Sequence, residues 1–305
     1  MSFGQWSHTS IAQQVIVGPS AVDGITEVVR ALGARRVMVV TTPGRADADI
    51  AERVLRRLGR HHAVTTTIVE PRVPATAVQQ GVIEWRGAGA DALLALGGGA
   101  AIDTAKAIAF FAEQEAGTPA SGFADRPVIP VLAVPTTLVG AAFTGTFSML
   151  DPHTRRSSVA GGPTTVPVAV VAELDPLADL GAHEVFLGAC AAMAQAVDVA
   201  LDPASDPEAR ALALAAISTL AAGLTGDGGD SPVDPLLLDG SVLAGRAMQA
   251  NPDGPQRALV RLLSARSDAL FGALHLATVE HTTRVLAEVV ADDVLSGVVA
   301  ALSAA

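Results

Sequence analysis

An apolar run, Ala92-Leu93-Leu94-Ala95-Leu96, passes straight into Gly97-Gly98-Gly99 and then Ala100-Ala101-Ile102-Asp103-Thr104-Ala105-Lys106. A strand that turns into a helix through three glycines fixes the local architecture as α/β, because the helix must pack back against the sheet it has just left. The same junction is chemically suggestive. Residues without side chains let a backbone approach an anion closely, and a helix start offers unpaired N–H groups and the positive end of its dipole. Gly97, Gly98 and Gly99, with Asp103 and Lys106 on the following helix, are therefore candidates for holding a diphosphate. A glycine triplet can equally serve turn geometry alone. Two further strand ends strengthen the anion reading. Val128 to Val134 runs into Pro135-Thr136-Thr137 and Gly140, and Arg36 to Val40 into Thr41-Thr42-Pro43-Gly44-Arg45. In an open α/β sheet, ligands sit beyond the carboxyl ends of the strands, where these hydroxyls and one cation collect.

The 305 residues, half of them hydrophobic, suit a two-domain globule with a sizeable core. A net charge of −11 and the absence of a basic stripe argue against a nucleic-acid partner. Cys190 is the single cysteine, so no internal disulfide forms, which fits a reducing cytoplasm. Met1 to Gln14 lacks the charged start and apolar core of a secretory signal. The longest apolar stretches are interrupted by Gly, Asp or Gln short of the ~20 residues that cross a bilayer, so no membrane partner is expected.

Along the chain, β-type runs (14–17, 37–40, 63–68, 92–96, 128–134) alternate with amphipathic helical stretches (21–32, 46–58, 75–87, 102–111). That alternation predicts a doubly wound, mostly parallel sheet. Asp151 to Arg156 reads as a hairpin turn and Val166 to Val171 as one more strand. From Leu177 onward only helical periodicity remains: 184–201, 208–224, 235–250, 255–264, 268–291 and 294–302. The expected division is 1–175, a nucleotide-binding α/β domain, and 176–305, an all-helical substrate domain. Gly226 to Pro232, rich in Asp and Gly, lacks the spaced ligands of a calcium loop and reads as a solvated turn.

Gly18 after the first strand, Thr41-Thr42-Pro43-Gly44, Gly97-Gly98-Gly99 with Asp103 and Lys106, Pro135-Thr136-Thr137, and Asp175-Pro176 before an all-helical half together resemble the iron-containing alcohol dehydrogenase superfamily. The stretches Gln195 to Asp198, Asp202 to Arg210 and Gly240 to Gly245 point to the maleylacetate reductase branch. The resemblance covers roughly Gln14 to His281. It implies a Rossmann-like domain followed by a shortened all-helical domain, the dehydroquinate synthase-like architecture, and NAD(P)-dependent hydride transfer at the cleft between them. Gly97 to Gly99 would hold the pyrophosphate of NAD or NADP, Asp103 would lie near the nicotinamide ribose, and Thr136 and Thr137 would line the adenine or ribose side. Thr42 stands where many members carry an aspartate for the ribose 2′-hydroxyl, which relaxes or reverses the preference for NAD.

The metal positions depart from the pattern. Members that use iron or zinc bind it through an Asp, a His four residues on, and two His fourteen residues apart. The matching positions here are Ala191, Gln195, Arg257 and Phe271. No competent ligand set remains, and Arg257 carries a charge that cannot be titrated away, so no catalytic metal is expected at that place. Arg257 and Arg261 instead become candidates to polarise a carbonyl oxygen or grip a carboxylate, with His275 or His281 as proton source. Two arginines at i, i+4 can equally be a solvated helix face, and His275 can be a packing residue. Two functions stay open: a metal-independent NAD(P)H-dependent reductase of a small carbonyl or carboxylate substrate, or a scaffold repurposed as a non-redox lyase, isomerase or cyclase, or as a non-catalytic partner subunit. A homodimer is the expected assembly, with a hetero-partner as the other possibility.

Overall fold

The computed structural model describes residues 6, 11–117, 127–138, 140–226, 233–250 and 254–304, and the Asp/Gly-rich segment 227–232 lies outside them. The chain divides into two compact units, Gln13–Gly181 and Ala182–Ala305 with the segment before Gln13.

The first unit is built on a six-stranded sheet, β1 (Gln14–Val17), β2 (Val37–Val40), β3 (His62–Thr66), β4 (Ala92–Gly97), β5 (Val131–Pro135) and β8 (Ala169–Ala172), in the order β1-β8-β5-β4-β2-β3. Every pairing in it is parallel. Strands β2, β4, β5 and β8 are buried along their whole length, as a sheet covered on both faces requires, so they read as continuous apolar runs rather than alternating ones. Helices α1 (Ile25–Ala31) and α3 (Asp49–Leu58) pack on one face through Ile25, Val29, Ile50 and Val54 against Val37, Val39, Leu94 and Leu132. On the other face α4 (Ala75–Ala88) and α5 (Gly99–Glu115) pack on each other, and α5 lies along β4 and β5. The expected hairpin is present as β6 (Thr146–Asp151) and β7 (Arg156–Gly161), antiparallel, with Phe147 against Phe110 of α5.

Several boundaries move for physical reasons. Strands β5 and β8 begin only after Pro130 and Pro167, because proline cannot donate to a ladder. The helix expected over 46–58 is two: α2 (Pro43–Ala46), capped by Thr42, and α3, with Ala48 extended between them. The first compact unit runs on to Gly181. A short helix, α6 (Asp175–Ala178), stays with the sheet because Arg53 reaches Glu173 at 2.6 Å and Asp175 at 3.6 Å, while Arg45 reaches Asp179 at 3.4 Å.

The second unit contains α7 (Ala182–Leu201), α8 (Pro207–Thr225), α9 (Pro235–Ala250), α10 (Pro255–Ser264), α11 (Phe271–Ala287) and α12 (Asp292–Ser303). The helix expected over 268–291 is shorter at both ends, and Ala291 is already extended ahead of α12. Helix α7 packs against α8, α9, α10, α11 and α12, which its small residues permit. Contrary to the expectation from interrupted apolar runs, α7 and α8 are long and apolar enough to cross a membrane by length and composition; 72% of the α7 window is buried inside the protein, against 39% for α8.

Candidate functional site

The strand order reverses between β2 and β4: the chain leaves β2 toward β3 on one side, then returns to β4 and moves outward through β5 on the other. Such a reversal opens a crevice at the carboxyl ends of the two strands. The rim there is tightly tied. Thr41 Oγ1 donates to the Leu96 carbonyl at 2.8 Å, and Thr136 N donates to the Gly97 carbonyl at 3.1 Å. The three strand ends singled out in the sequence therefore meet.

Two of the three glycines are required by shape. Gly97 has φ +148°, a conformation side chains rarely adopt, and a Cβ there would lie 2.9 Å from Cβ of Ala101. At Gly98 a Cβ would meet Thr137 Oγ1 at 2.9 Å and Cγ2 at 3.1 Å, whereas at Gly99 the nearest atom is Cβ of Ala141 at 3.9 Å. Helix α5 starts from Gly98 with no side-chain cap. Asp103, one turn in, does not cap the helix start. Thr137 Oγ1 is buried without a hydrogen-bond partner, an unusual state for a hydroxyl. A backbone cradle at an uncapped helix start, with an orphaned hydroxyl against it, fits the diphosphate of a dinucleotide.

The other proposed nucleotide contacts divide. Thr136 is buried, and Thr42 Oγ1 is committed to Arg45 N at 3.3 Å as a helix cap. Lys106 is fully buried; its ammonium donates to Asp103 Oδ1 and to the Thr146 carbonyl, both at 3.2 Å. It joins α5 to β6 and orients Asp103, so it acts through Asp103 instead of presenting its charge at the surface.

In the helical unit three of the four positions matching the metal ligands, Gln195, Arg257 and Phe271, lie about a histidine. His275 is fully buried. Its Nε2 lies 3.4 Å from Gln195 Nε2, its Nδ1 accepts from Gln256 Nε2 at 3.1 Å, and the Phe271 ring meets it edge-on with centroids 4.7 Å apart. Since Nδ1 accepts, the remaining ring proton is on Nε2 and points to the Gln195 amide, whose oxygen and nitrogen can exchange places. The second hydrogen of the Gln256 amide is within reach of Thr278 Oγ1 at 3.1 Å, and Thr282 Oγ1 donates to its carbonyl. Burial, reinforced by the charge of Arg257, pushes the His275 imidazole down to about 3. A downward shift of that kind favours the neutral ring near pH 7 and runs against the expected use of His275 as an imidazolium.

Beneath this network lies Asp198, which the sequence reading passed over. Its side chain is 2% exposed, its Oδ1 accepts from Gln256 N at 3.1 Å, and its Oδ2 has no partner. Gly254 allows the approach, since a Cβ there would sit 2.1 Å from Oδ2. The carboxylate thus takes the place of the missing cap at the start of α10. Burial raises it to about 6, the neighbouring Asp202 adding to the rise, against the opposing pull of the Gln256 and Arg257 amides. The available signal was the spacing of Gln195 and Asp198 on α7, with Asp202 just past its end. Arg257 is buried at 9% exposure and Arg261 is half-buried, so the first is not the solvated helix face that i, i+4 spacing allows. Among the described residues no three His, Cys, Asp or Glu side chains group to hold a metal ion.

The iron-containing alcohol dehydrogenase family model matches residues 12–174. Maleylacetate reductase 2 of Cupriavidus pinatubonensis is 28% identical over 294 residues, 95% of this chain and 76% of that protein. Lactaldehyde reductase of Escherichia coli is 28% identical over 173 residues, 52% of this chain and 44% of its own length. Maleylacetate reductase from Rhizobium sp. strain MTP-10005 superposes with a TM-score of 0.85 at 22% identity, over 98% of this chain and 81% of that one. Sulfoacetaldehyde reductase from Bifidobacterium kashiwanohense, solved with NAD+, superposes at 0.81 and 17% identity, over 92% and 77%. These superpositions bear on the fold. With more than half its length matched by the family model, the chain belongs to the iron-containing alcohol dehydrogenase family.

Proposed function

We propose that this protein is an NAD(P)H-dependent reductase of a small carbonyl substrate bearing a carboxylate, working without a metal at the place where its family's name implies iron. The observation that carries the proposal is the chemistry gathered around His275: two amides, a single imidazole whose two nitrogens they already engage, and a nearby guanidinium stand where a cation would need several convergent anionic or imidazole donors. These residues do not fit a metal, and no step is routed through one.

In this scheme Gly97 to Gly99 and Thr137 hold the diphosphate, with Asp103, set by Lys106, toward the ribose. Bound nicotinamide supplies the hydride. Arg257 places fixed positive charge against the substrate's carbonyl oxygen or carboxylate, and Arg261, one turn on, offers a second charge for a dicarboxylate such as maleylacetate. His275 positions rather than titrates: with Gln256 and Gln195 it fixes the surface from which Arg257 projects. Maleylacetate enters as substrate class by likeness to the named reductases.

The test is consumption of NADH or NADPH with maleylacetate under excess chelator. Turnover unaffected by chelator, with kcat/KM falling about 100-fold or more in Arg257→Gln, is the expected outcome. Turnover that requires added iron or zinc, or an Arg257→Gln variant as active as the parent, contradicts it. Cofactor binding without any hydride transfer would favour the repurposed or non-catalytic scaffold, a reading that the buried, non-titrating His275 supports. Self-association belongs to the same proposal: Leu276, Val285, Val289 and Val299 are apolar and exposed on α11, α12 and the turn between them, and light scattering is expected to give the mass of a dimer.

A further inference from the structure

We propose that Arg45 is a receptor for the 2′-phosphate of NADP(H), held on Asp179 until the nucleotide arrives; this rests on the nucleotide reading above. Arg45 follows β2, the strand beside β4 at the reversal of strand order, so a dinucleotide whose diphosphate lies on the glycine turn after β4 has a nucleoside end within reach of the turn after β2. In sheets of this type an acidic residue at that turn accepts from the ribose 2′-hydroxyl, or an arginine accommodates a 2′-phosphate. From Thr41 to Ala46 there is no carboxylate. Thr41 is fully buried, with its hydroxyl donating to the Leu96 carbonyl, and Thr42 Oγ1 accepts from Arg45 N, so neither hydroxyl supplies the charge of the missing acid. Arg45 is the one charged residue of the turn, anchored by its own backbone as Thr42 caps α2.

Its side chain is 17% exposed, and its Nη1 sits 3.4 Å from Oδ2 of Asp179, whose side chain is 59% exposed. Asp179 follows β8, three strands across the sheet from β2, with β4 and β5 between them. A long, single-contact pair with its carboxylate largely exposed is weak, and a phosphate dianion offering two parallel contacts outcompetes it. Asp179 therefore keeps the arginine occupied without a ligand and sets a penalty that NADH, lacking the phosphate, cannot recover.

The experiment is nicotinamide fluorescence titration of the full chain with NADPH and NADH, for the parent and for Arg45→Gln, Arg45→Lys and Asp179→Asn. The parent is expected to bind NADPH at least tenfold more tightly than NADH. Arg45→Gln removes that difference by weakening NADPH, Arg45→Lys restores part of it, and Asp179→Asn tightens NADPH severalfold. 2′,5′-ADP should displace NADPH at concentrations where 5′-ADP does not. Equal or tighter binding of NADH by the parent, or equal weakening of both nucleotides in Arg45→Gln, overturns the assignment while leaving the reductase proposal standing. Failure of both nucleotides to bind overturns both.

Discussion

Asp198 and His275 titrate in opposite senses, and the consequence is measurable. Asp198, raised from 3.8 to about 6, adds stability that is complete below pH 4 and lost as pH rises through 6. His275, lowered from 6.5 to about 3, adds stability that is complete above 6.5 and lost as pH falls toward 3. Between pH 4 and 6 the two slopes oppose, so urea unfolding of the parent should show little dependence on pH from this pair. In Asp198→Asn the opposing slope is gone, and stability should fall by about 3 kcal/mol between pH 6 and 4, a shift of ~2 pKa units at 1.36 kcal/mol each. A variant with the parent's flat profile would show that Asp198 does not titrate there. Gly254→Ala tests the contact itself. A Cβ 2.1 Å from Oδ2 forces a shift, and overpacking of this kind costs about 1–3 kcal/mol; combining it with Asp198→Ala should recover most of that loss, since the two changes share one contact.

On the proposed function helix α5 carries the nucleotide end of the site, and its buried lysine is the most exacting element in that half. Replacing Lys106 with Met leaves the partly exposed Asp103 and the Thr146 carbonyl without their shared donor, and such a loss costs about 1–3 kcal/mol. Thermal melting should drop accordingly, with nicotinamide binding weakened in parallel to Asp103→Ala. Most of this half was legible in the sequence. Ala92 to Leu96 read as a buried strand because no polar residue interrupts it, and the glycines announced the turn because nothing larger fits at Gly97. What could not be read was tertiary: that Lys106 faces inward, that Thr137 loses every partner, and that Arg53 and Arg45 hold 175–179 to the sheet. In the helical unit, periodicity gave α7 to α12 within a few residues, but the polar network did not show. Gln195, Gln256 and His275 are far apart in sequence, and only packing of α7, α10 and α11 joins them.

For the molecule as a whole, the proposed function reads the parallel sheet with its glycine turn as a retained nucleotide cradle, and the buried guanidinium and neutral amides of the helical unit as what stands in place of a metal's surroundings. That view stands or falls on whether the cradle works with no metal present. The decisive measurement is the nicotinamide fluorescence of metal-stripped protein titrated with NADPH and NADH, beside Gly98→Ala, whose added Cβ would meet Thr137. Micromolar binding by the parent, weakened at least tenfold by Gly98→Ala, is the predicted result. Binding that appears only after iron or zinc is restored, or that Gly98→Ala leaves untouched, would contradict it.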